Sequence, residues 1–390
     1  MDDELSSSIS NYSVEVEDTS LGDASELAGS STCPPQISHA SSAKGIVRLL
    51  KTVLTSACEN NCNYCAFRLG RDVKRNTLQP DEMAKRFMGL WQAGLLDGFF
   101  LSSGICGGGV RTQDKLLDTA EILRKKMGYF GYLHLKIMPG SEFDQVKRAM
   151  QLADRVSINL EAPVNRVLHC LAPQKPDVDE LMKRLQWVNF IRRTMDGMQG
   201  WKGHWPSSTT QFVVGVGGET DLELLNMGLN LHRKMQLRRV YYSGFSPIDD
   251  TPFDGLEAAS KKRILRLYQS DFLLRDYDFD LEELPFDQDG ILDETRDPKT
   301  WWAEQHYRQQ PVEINQADYK ELLRLPGVGP KTARRVLEQR VRNKMKDIGS
   351  LRRAGVSVEK ILPYILINGR KIEPNPSLFG STMDENAPIY

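Results

Sequence analysis

The chain has 390 residues, of which 40% are hydrophobic and 26% charged, and its formal net charge is −1. That balance describes a globular protein with a sizeable core, and it excludes whole-chain basicity as a ground for binding a polyanion. No apolar run reaches the roughly 18 residues that span a bilayer, and the acidic start lacks the basic and apolar regions of a signal peptide, so a cytoplasmic protein is expected.

Residues 1–43 hold eight Asp or Glu, twelve Ser and no Lys or Arg. Such a segment buries too little apolar surface to offset its ordering entropy, and a disordered tail is expected there. From about residue 47, short β-rich runs alternate with amphipathic runs of helical length. Strands are expected at Val47–Leu54, Gly98–Leu101, Tyr132–Ile137, Arg155–Leu160, Gln211–Val216 and Arg239–Tyr242. Helices are expected at about 80–94, 112–126, 142–152, 177–195, 219–235 and 256–274. The first opens with Pro80, Asp81 and Glu82, and Met83, Phe87 and Trp91 give it one apolar face. Six β–α units in a row imply an α/β fold with a parallel sheet and right-handed crossovers, over residues 44–275.

After strand one comes Cys58-Glu-Asn-Asn-Cys62-Asn-Tyr-Cys65. Three thiolates on one short loop suit an iron–sulfur cluster or zinc, and three ligands leave a coordination position open. Loops that follow strand C-termini are where α/β barrels place their chemistry. Buried unliganded thiols, or zinc completed by a distant His or Cys170, would be the plainer readings. Cys33, Cys106 and Cys170 lie outside the cluster.

The C-x-x-x-C-x-x-C spacing, with an aromatic residue before the last Cys and a β/α repeat behind it, resembles the radical S-adenosylmethionine (SAM) superfamily. The resemblance implies a partial (β/α)6 TIM-like barrel and a 4Fe–4S cluster on Cys58, Cys62 and Cys65. It implies SAM as the ligand of the fourth iron, cleaved reductively to a 5′-deoxyadenosyl radical that takes hydrogen from substrate. It also implies an electron donor. Ser102, Ser103 and Gly104 resemble the loop that contacts the methionine amino group. Ser157, Asn159 and Glu161 alternate onto one strand face and resemble the ribose-binding strand; a satisfied polar core would look the same. Val214, Gly215 and Gly217 resemble the segment that lies against adenine, where glycine permits close approach. The run Cys106–Gly109 reads as a flexible surface turn.

Residues 276–297 hold ten acids and one Arg, so 276–310 is expected to be an acidic linker or a loosely packed edge. Gln316–Arg370 reverses the balance, with thirteen Lys or Arg against five acids. Within residues 311–372, a helix ending at Leu325, the turn Pro326-Gly327-Val328-Gly329 and a helix from Pro330 resemble a helix-hairpin-helix domain; 373–390 would be a tail. Gly327 and Gly329 permit the turn and set N–H groups at a helix start, with Lys331, Arg334 and Arg335 beside them. DNA phosphates would fit there, although such hairpins also serve protein contacts. The combination resembles the radical SAM proteins assigned to DNA modification or repair and linked to a uracil-DNA glycosylase-like partner. Action on RNA or a small molecule, with the module used for docking, is the second reading. A non-enzymatic iron–sulfur DNA-binding protein is the third.

Overall fold

The computed structural model describes residues 36–42 and 45–372. These residues fall into two compact units, one up to Ile264 and one from Leu265 onward.

The first unit is built on a seven-stranded sheet whose strands follow one another in chain order. Strand β1 (Gln36–Ser42) pairs antiparallel with β2 (Gly45–Val53). From β2, the strands β3 (Gly98–Ser102), β4 (Tyr132–Lys136), β5 (Arg155–Ser157), β6 (Ser207–Val214) and β7 (Arg239–Gly244) are all parallel. The crossovers carry α1 (Pro80–Gln92), α2 (Gly109–Glu121), α3 (Phe143–Leu152), α4 (Asn165–Leu171), α5 (Val178–Thr194) and α6 (Asp221–Met235), and α7 (Lys261–Asp276) follows β7. This is the parallel α/β sheet that the alternation of runs implied and the partial (β/α)6 barrel that the family resemblance implied.

Strand alternation sorts the side chains. Phe99, Leu101, Leu133, Leu135, Val156 and Val240 are fully buried on the side that carries the helices. Phe87 of α1 stacks on Phe99 at 4.3 Å, and Tyr129 meets Phe87 edge-on. The expected face of α1 is thus the buried one, with Trp91 at its margin against Tyr129. The other sheet face carries Lys51, Phe100, His134 and Arg155 in one register row.

Two expectations need correction. Residues 36–42 lie in the segment expected to be disordered, yet they form β1. Strand pairing satisfies backbone groups whatever the side-chain composition, so a compositional argument does not see it. The rest of that segment, residues 1–35 and 43, and the tail 373–390 lie outside the described residues. The stretch 276–310 is not a loose linker. It contains α8 (Pro298–His306), and it buries Phe279, Leu284, Leu292 and Trp302. Phe279 packs edge-on to Trp302, and the Arg324 guanidinium lies over both rings at 4.4 and 4.6 Å. Glu283 accepts from the same guanidinium. Asp280 and Asp297 cap helical turns, and Asp276, Asp278, Glu283 and Asp293 form ion pairs.

The second unit continues with β8 (Val312–Glu313), α9 (Tyr319–Arg324), α10 (Pro330–Arg342), α11 (Ile348–Arg353), α12 (Val358–Ile361) and β9 (Ile365–Leu366), with β8 and β9 paired in parallel. Asp318 and Glu321 close a capping box at the start of α9.

Candidate functional site

The cysteine loop leaves β2 and is clamped from several sides. Arg75 donates to four backbone carbonyls of this loop, those of Ser56, Phe67, Arg68 and Arg71, at 2.8–3.2 Å. Asn63 donates through its backbone to Leu171 O and through Nδ2 to Cys170 O. Glu59 N donates to Ile105 O, and the Glu59 carboxylate accepts from Gly107 N and Gly108 N at 3.1 Å. The glycine run after β3 is therefore a fixed anchor for the cysteine loop rather than a flexible surface turn. Gly109 is just as constrained, since a Cβ there would meet Pro139 O at 1.8 Å.

Gly104 sets the spacing between β3 and this loop. A Cβ on it would lie 2.3 Å from the Ala57 carbonyl oxygen, next to Cys58, and its N–H donates to Thr55 O. Ser102 ends β3, and Ser103 Oγ is buried without a hydrogen-bond partner.

Cys62 is buried, and Cys58 and Cys65 are half-buried. Burial pushes the Cys62 thiol up to about 11, against the pull of the Lys175 charge. Cys65 is raised by burial too, and its sulfur accepts from Phe67 N at 3.4 Å. Among the described residues, no group of three or more His, Cys, Asp or Glu is gathered as ligands of a single ion. An iron–sulfur cluster makes a different demand, because each thiolate binds a different iron and the sulfurs stand apart.

Beside the loop lies a buried polar network. Strand β5 ends at Ser157, short of the expected Leu160, and Glu161 adopts φ +67° in a single bridge to Phe212. Strict alternation therefore stops before Asn159, yet a hydrogen bond of 3.2 Å still joins Asn159 Nδ2 to Glu161 Oε1. Lys175 Nζ reaches the same oxygen at 2.8 Å, with both side chains under 10% exposed. Burial drives the Glu161 carboxyl up, but the charges of Lys175 and Lys136 outweigh it and hold it below the usual carboxylate range. Lys136 donates to Asn159 Oδ1, and burial pulls its ammonium down to about 8. The Tyr64 phenol faces the same carboxylate, whose Oε2 has no partner within hydrogen-bond geometry. Ser157 Oγ and Thr209 Oγ1 are buried and unpartnered on the adjoining strands.

The glycines after β6 serve this protein's own packing. Val214 is buried as the last residue of β6. A Cβ at Gly215 would meet Ala259 Cβ at 2.6 Å, and one at Gly217 would meet Val167 Cγ1 at 2.6 Å. The Glu219 carboxylate accepts from Gly215 N and Gly217 N and pairs with Arg263. The turn is thus folded around its own carboxylate.

In the second unit, the hairpin runs as read, with Gly327 exposed at φ +73° and Gly329 as the N-cap of α10. Lys331 is half-buried, while Arg334 and Arg335 are exposed on α10. Beneath the turn, buried Lys299 donates to Val328 O at 2.6 Å and lies 4.4 Å from the Tyr277 ring centre. Burial pulls its ammonium down to about 7, against the opposing charge of Asp297.

Residues 52–228 match the family model of the Radical SAM superfamily, and residues 311–338 match that of the helix-hairpin-helix motif. A Radical SAM superfamily domain and a helix-hairpin-helix motif are thus present in one chain. Proteins of this superfamily use a 4Fe–4S cluster and SAM. The chain is 24% identical over 209 residues to the threonylcarbamoyladenosine tRNA methylthiotransferase MtaB of Thermotoga maritima; the match covers 53% of the chain and 46% of that relative, so the chain spans less than half its length. Among solved structures, the FeFe-hydrogenase maturase HydG from Carboxydothermus hydrogenoformans aligns at a TM-score of 0.46 and 15% identity, covering 58% of this chain and 51% of HydG. Methylornithine synthase (PylB) aligns at 0.45 and 16%, covering 58% and 61%.

The radical SAM domain offers a donor set that fits both cofactors. Three thiols on one clamped loop suit iron. The orphaned Ser103 Oγ, Ser157 Oγ and Glu161 Oε2 supply polar atoms for a cofactor rich in hydroxyl and ammonium groups. Sequence reasoning missed Arg75, Lys175 and Lys136. Isolated basic residues carry no spacing signal, and their partners are backbone carbonyls or distant side chains.

In the radical SAM domain, Gly104→Ala forces backbone against backbone. We expect a folded chain, destabilised by about 1–3 kcal/mol, that takes up less than half the wild-type iron on reconstitution; full uptake would show that this contact does not set the loop.

Lys299 makes the second unit pH-sensitive. Its folded-state pKa is lowered, so between about 7 and 10.5 the unfolded chain holds a proton that the folded chain lacks, and stability rises with pH across that window. Chemical denaturation at several pH values should show a slope up to about 1.4 kcal/mol per pH unit steeper in the wild type than in Lys299→Met.

Proposed function

We propose that this chain is a radical SAM enzyme acting on a nucleic acid, with Cys58, Cys62 and Cys65 as the cluster ligands and the C-terminal module as the grip on the polymer. The observation that carries this reading is the presence, in one chain, of the clamped three-thiol loop and of a Gly-x-Gly hairpin flanked by exposed arginines. When bound, the cluster and SAM supply reductive cleavage of a sulfonium bond and hydrogen abstraction. The residues of this chain orient and enclose. Ser102, Ser103 and Gly104 line the approach for the methionine moiety. Ser157, Asn159 and the free Oε2 of Glu161 take the ribose side. Val214, Gly215 and Gly217 shape the wall for the adenine. Lys175 keeps Glu161 ionised, so that the carboxylate accepts hydrogen bonds and donates none.

DNA is the substrate that the family resemblance favours, and the same resemblance suggests a uracil-DNA glycosylase-like partner. RNA is the second reading, and the similarity to a tRNA methylthiotransferase speaks for it. In either case, the hairpin N–H groups and Lys331, Arg334 and Arg335 hold phosphates and leave base identity to the barrel.

Under anaerobic conditions with dithionite, the reconstituted protein should cleave SAM. Cys58→Ala, Cys62→Ala and Cys65→Ala should each abolish both the cluster absorbance and the cleavage, whereas Cys106→Ala and Cys170→Ala should keep them. An intact 4Fe–4S signal in the triple variant of 58, 62 and 65 would overturn the ligand assignment.

Fluorescence anisotropy of the full chain with two unrelated DNA duplexes and a tRNA tests the polymer. Affinity should fall steeply with salt. Substituting Lys331, Arg334 and Arg335 together by Ala should weaken all sequences about equally and flatten the log–log salt slope by about 2–3. Salt-independent binding would favour a protein-contact role for the hairpin, and a clear preference between duplex and tRNA decides the substrate.

A further inference from the structure

The inner face of the barrel carries positive charge that the catalytic reading does not use. Lys51, Phe100, His134 and Arg155 are in-register neighbours on β2, β3, β4 and β5. His134 rests against Phe100, with ring centres 4.4 Å apart, and its Nε2 is buried without a hydrogen-bond partner. Arg155 Nε donates to Ser207 Oγ at 3.0 Å, which leaves the two terminal nitrogens of the guanidinium available. Three cations, Arg155, Lys136 and Lys51, act on the His134 ring, in that order of strength after burial, and all oppose its protonation. Among the described residues, neither Lys51 nor Arg155 forms an ion pair with a carboxylate. Glu161 supplies one negative charge to Lys136 and Lys175 together, so that trio keeps a net positive charge.

Lys51 is exposed and His134 and Arg155 are half-buried; like charges gathered without counter-charge repel one another, and an anion that completes the set relieves that repulsion. The neighbouring row adds Thr209 Oγ1, buried and unpartnered, two residues or about 7 Å further along the strands. A neutral or singly charged ligand would leave part of this positive charge uncompensated. A phosphate carries up to two negative charges and several acceptor oxygens, and the Arg155 fork matches them.

We propose that the row Lys51–His134–Arg155 is a phosphate site that seats a phosphate group of the substrate inside the barrel. This rests on the reading of the barrel as the reaction chamber. It adds that the substrate is recognised there through phosphate, separately from the C-terminal module. The phosphate belongs either to a phosphorylated small molecule of mononucleotide size or to the sugar–phosphate backbone of a polymer.

The test uses the full-length, reconstituted chain carrying Lys331→Ala, Arg334→Ala and Arg335→Ala, so that the hairpin does not contribute. Inorganic phosphate is titrated against sodium chloride at constant ionic strength, and binding is read from the thermal midpoint. The expected result is a saturable rise that Lys51→Gln and Arg155→Gln each weaken about tenfold, while Lys262→Gln on the exposed face of α7 leaves it unchanged. Arg155→Lys keeps the charge and serves if Arg155→Gln does not fold. Equal phosphate binding by wild type, Lys51→Gln and the Arg155 variant would overturn the proposal. Competition by deoxyadenosine 5′-monophosphate assigns the site to a phosphorylated small molecule, and competition by a single-stranded oligodeoxynucleotide without terminal phosphates assigns it to the backbone. Displacement by neither marks the bound phosphate as an adventitious ion only and counts against the proposal. Reductive cleavage of SAM by the wild-type chain in the absence of substrate tests the radical SAM reading by itself, so failure here is distinguishable from failure of that reading.

Discussion

An ionised carboxylate survives in a protein interior only with a partner, and the site is arranged around that requirement. Glu161 leaves the end of the β5 segment in a left-handed conformation and meets Lys175 from the turn after α4. Removing either member of such a pair typically costs about 3–5 kcal/mol, because the survivor is left charged and alone. Asn159, Lys136 and Tyr64 are drawn to the same carboxylate, which places it beside the cysteine loop. The position of the loop, the burial of Oε2 and the field felt by Cys62 therefore share one origin.

The parallel sheet was legible because it depends on periodicity, and the barrel form came with the family resemblance. Short β-rich runs alternate with amphipathic runs, and the strand and helix centres fall where the pattern puts them. The ends were less legible. β5 stops at Ser157 because the Thr210 hydroxyl takes the place of the ladder, accepting from Leu160 N and donating to Ile158 O, and Glu161 then turns to Lys175, fourteen residues further along the chain. β1 lies in a segment whose composition argues against order, and only its pairing with β2 explains it. The acidic stretch 276–310 looked unpackable by charge. Its apolar residues are few but large, and Phe279 and Trp302 under Arg324 suffice to bury it.

The site divides in the same way. The three cysteines announce themselves by spacing, since ligands on a single loop must be close in sequence. Gly104 was picked out as part of a loop resembling the one that contacts the methionine amino group, and in the structure it makes room for the Ala57 carbonyl of this chain. Gly215 and Gly217 likewise make room for Ala259 and Val167. Arg75 could not be picked out from sequence. It binds carbonyls, every residue has one, and so no partner type marks the pairing.

The clamps on the cysteine loop have a consequence for how the protein lives with oxygen. Arg75, Glu59 and Asn63 all hold the loop through protein groups, so its shape is set by contacts that do not include iron. Small metal modules behave in the opposite way and unfold when stripped. Here, oxidative loss of a cluster would empty the loop without unravelling the barrel. Iron and sulfide delivered again would then meet a loop already shaped to receive them, with no need to refold the chain.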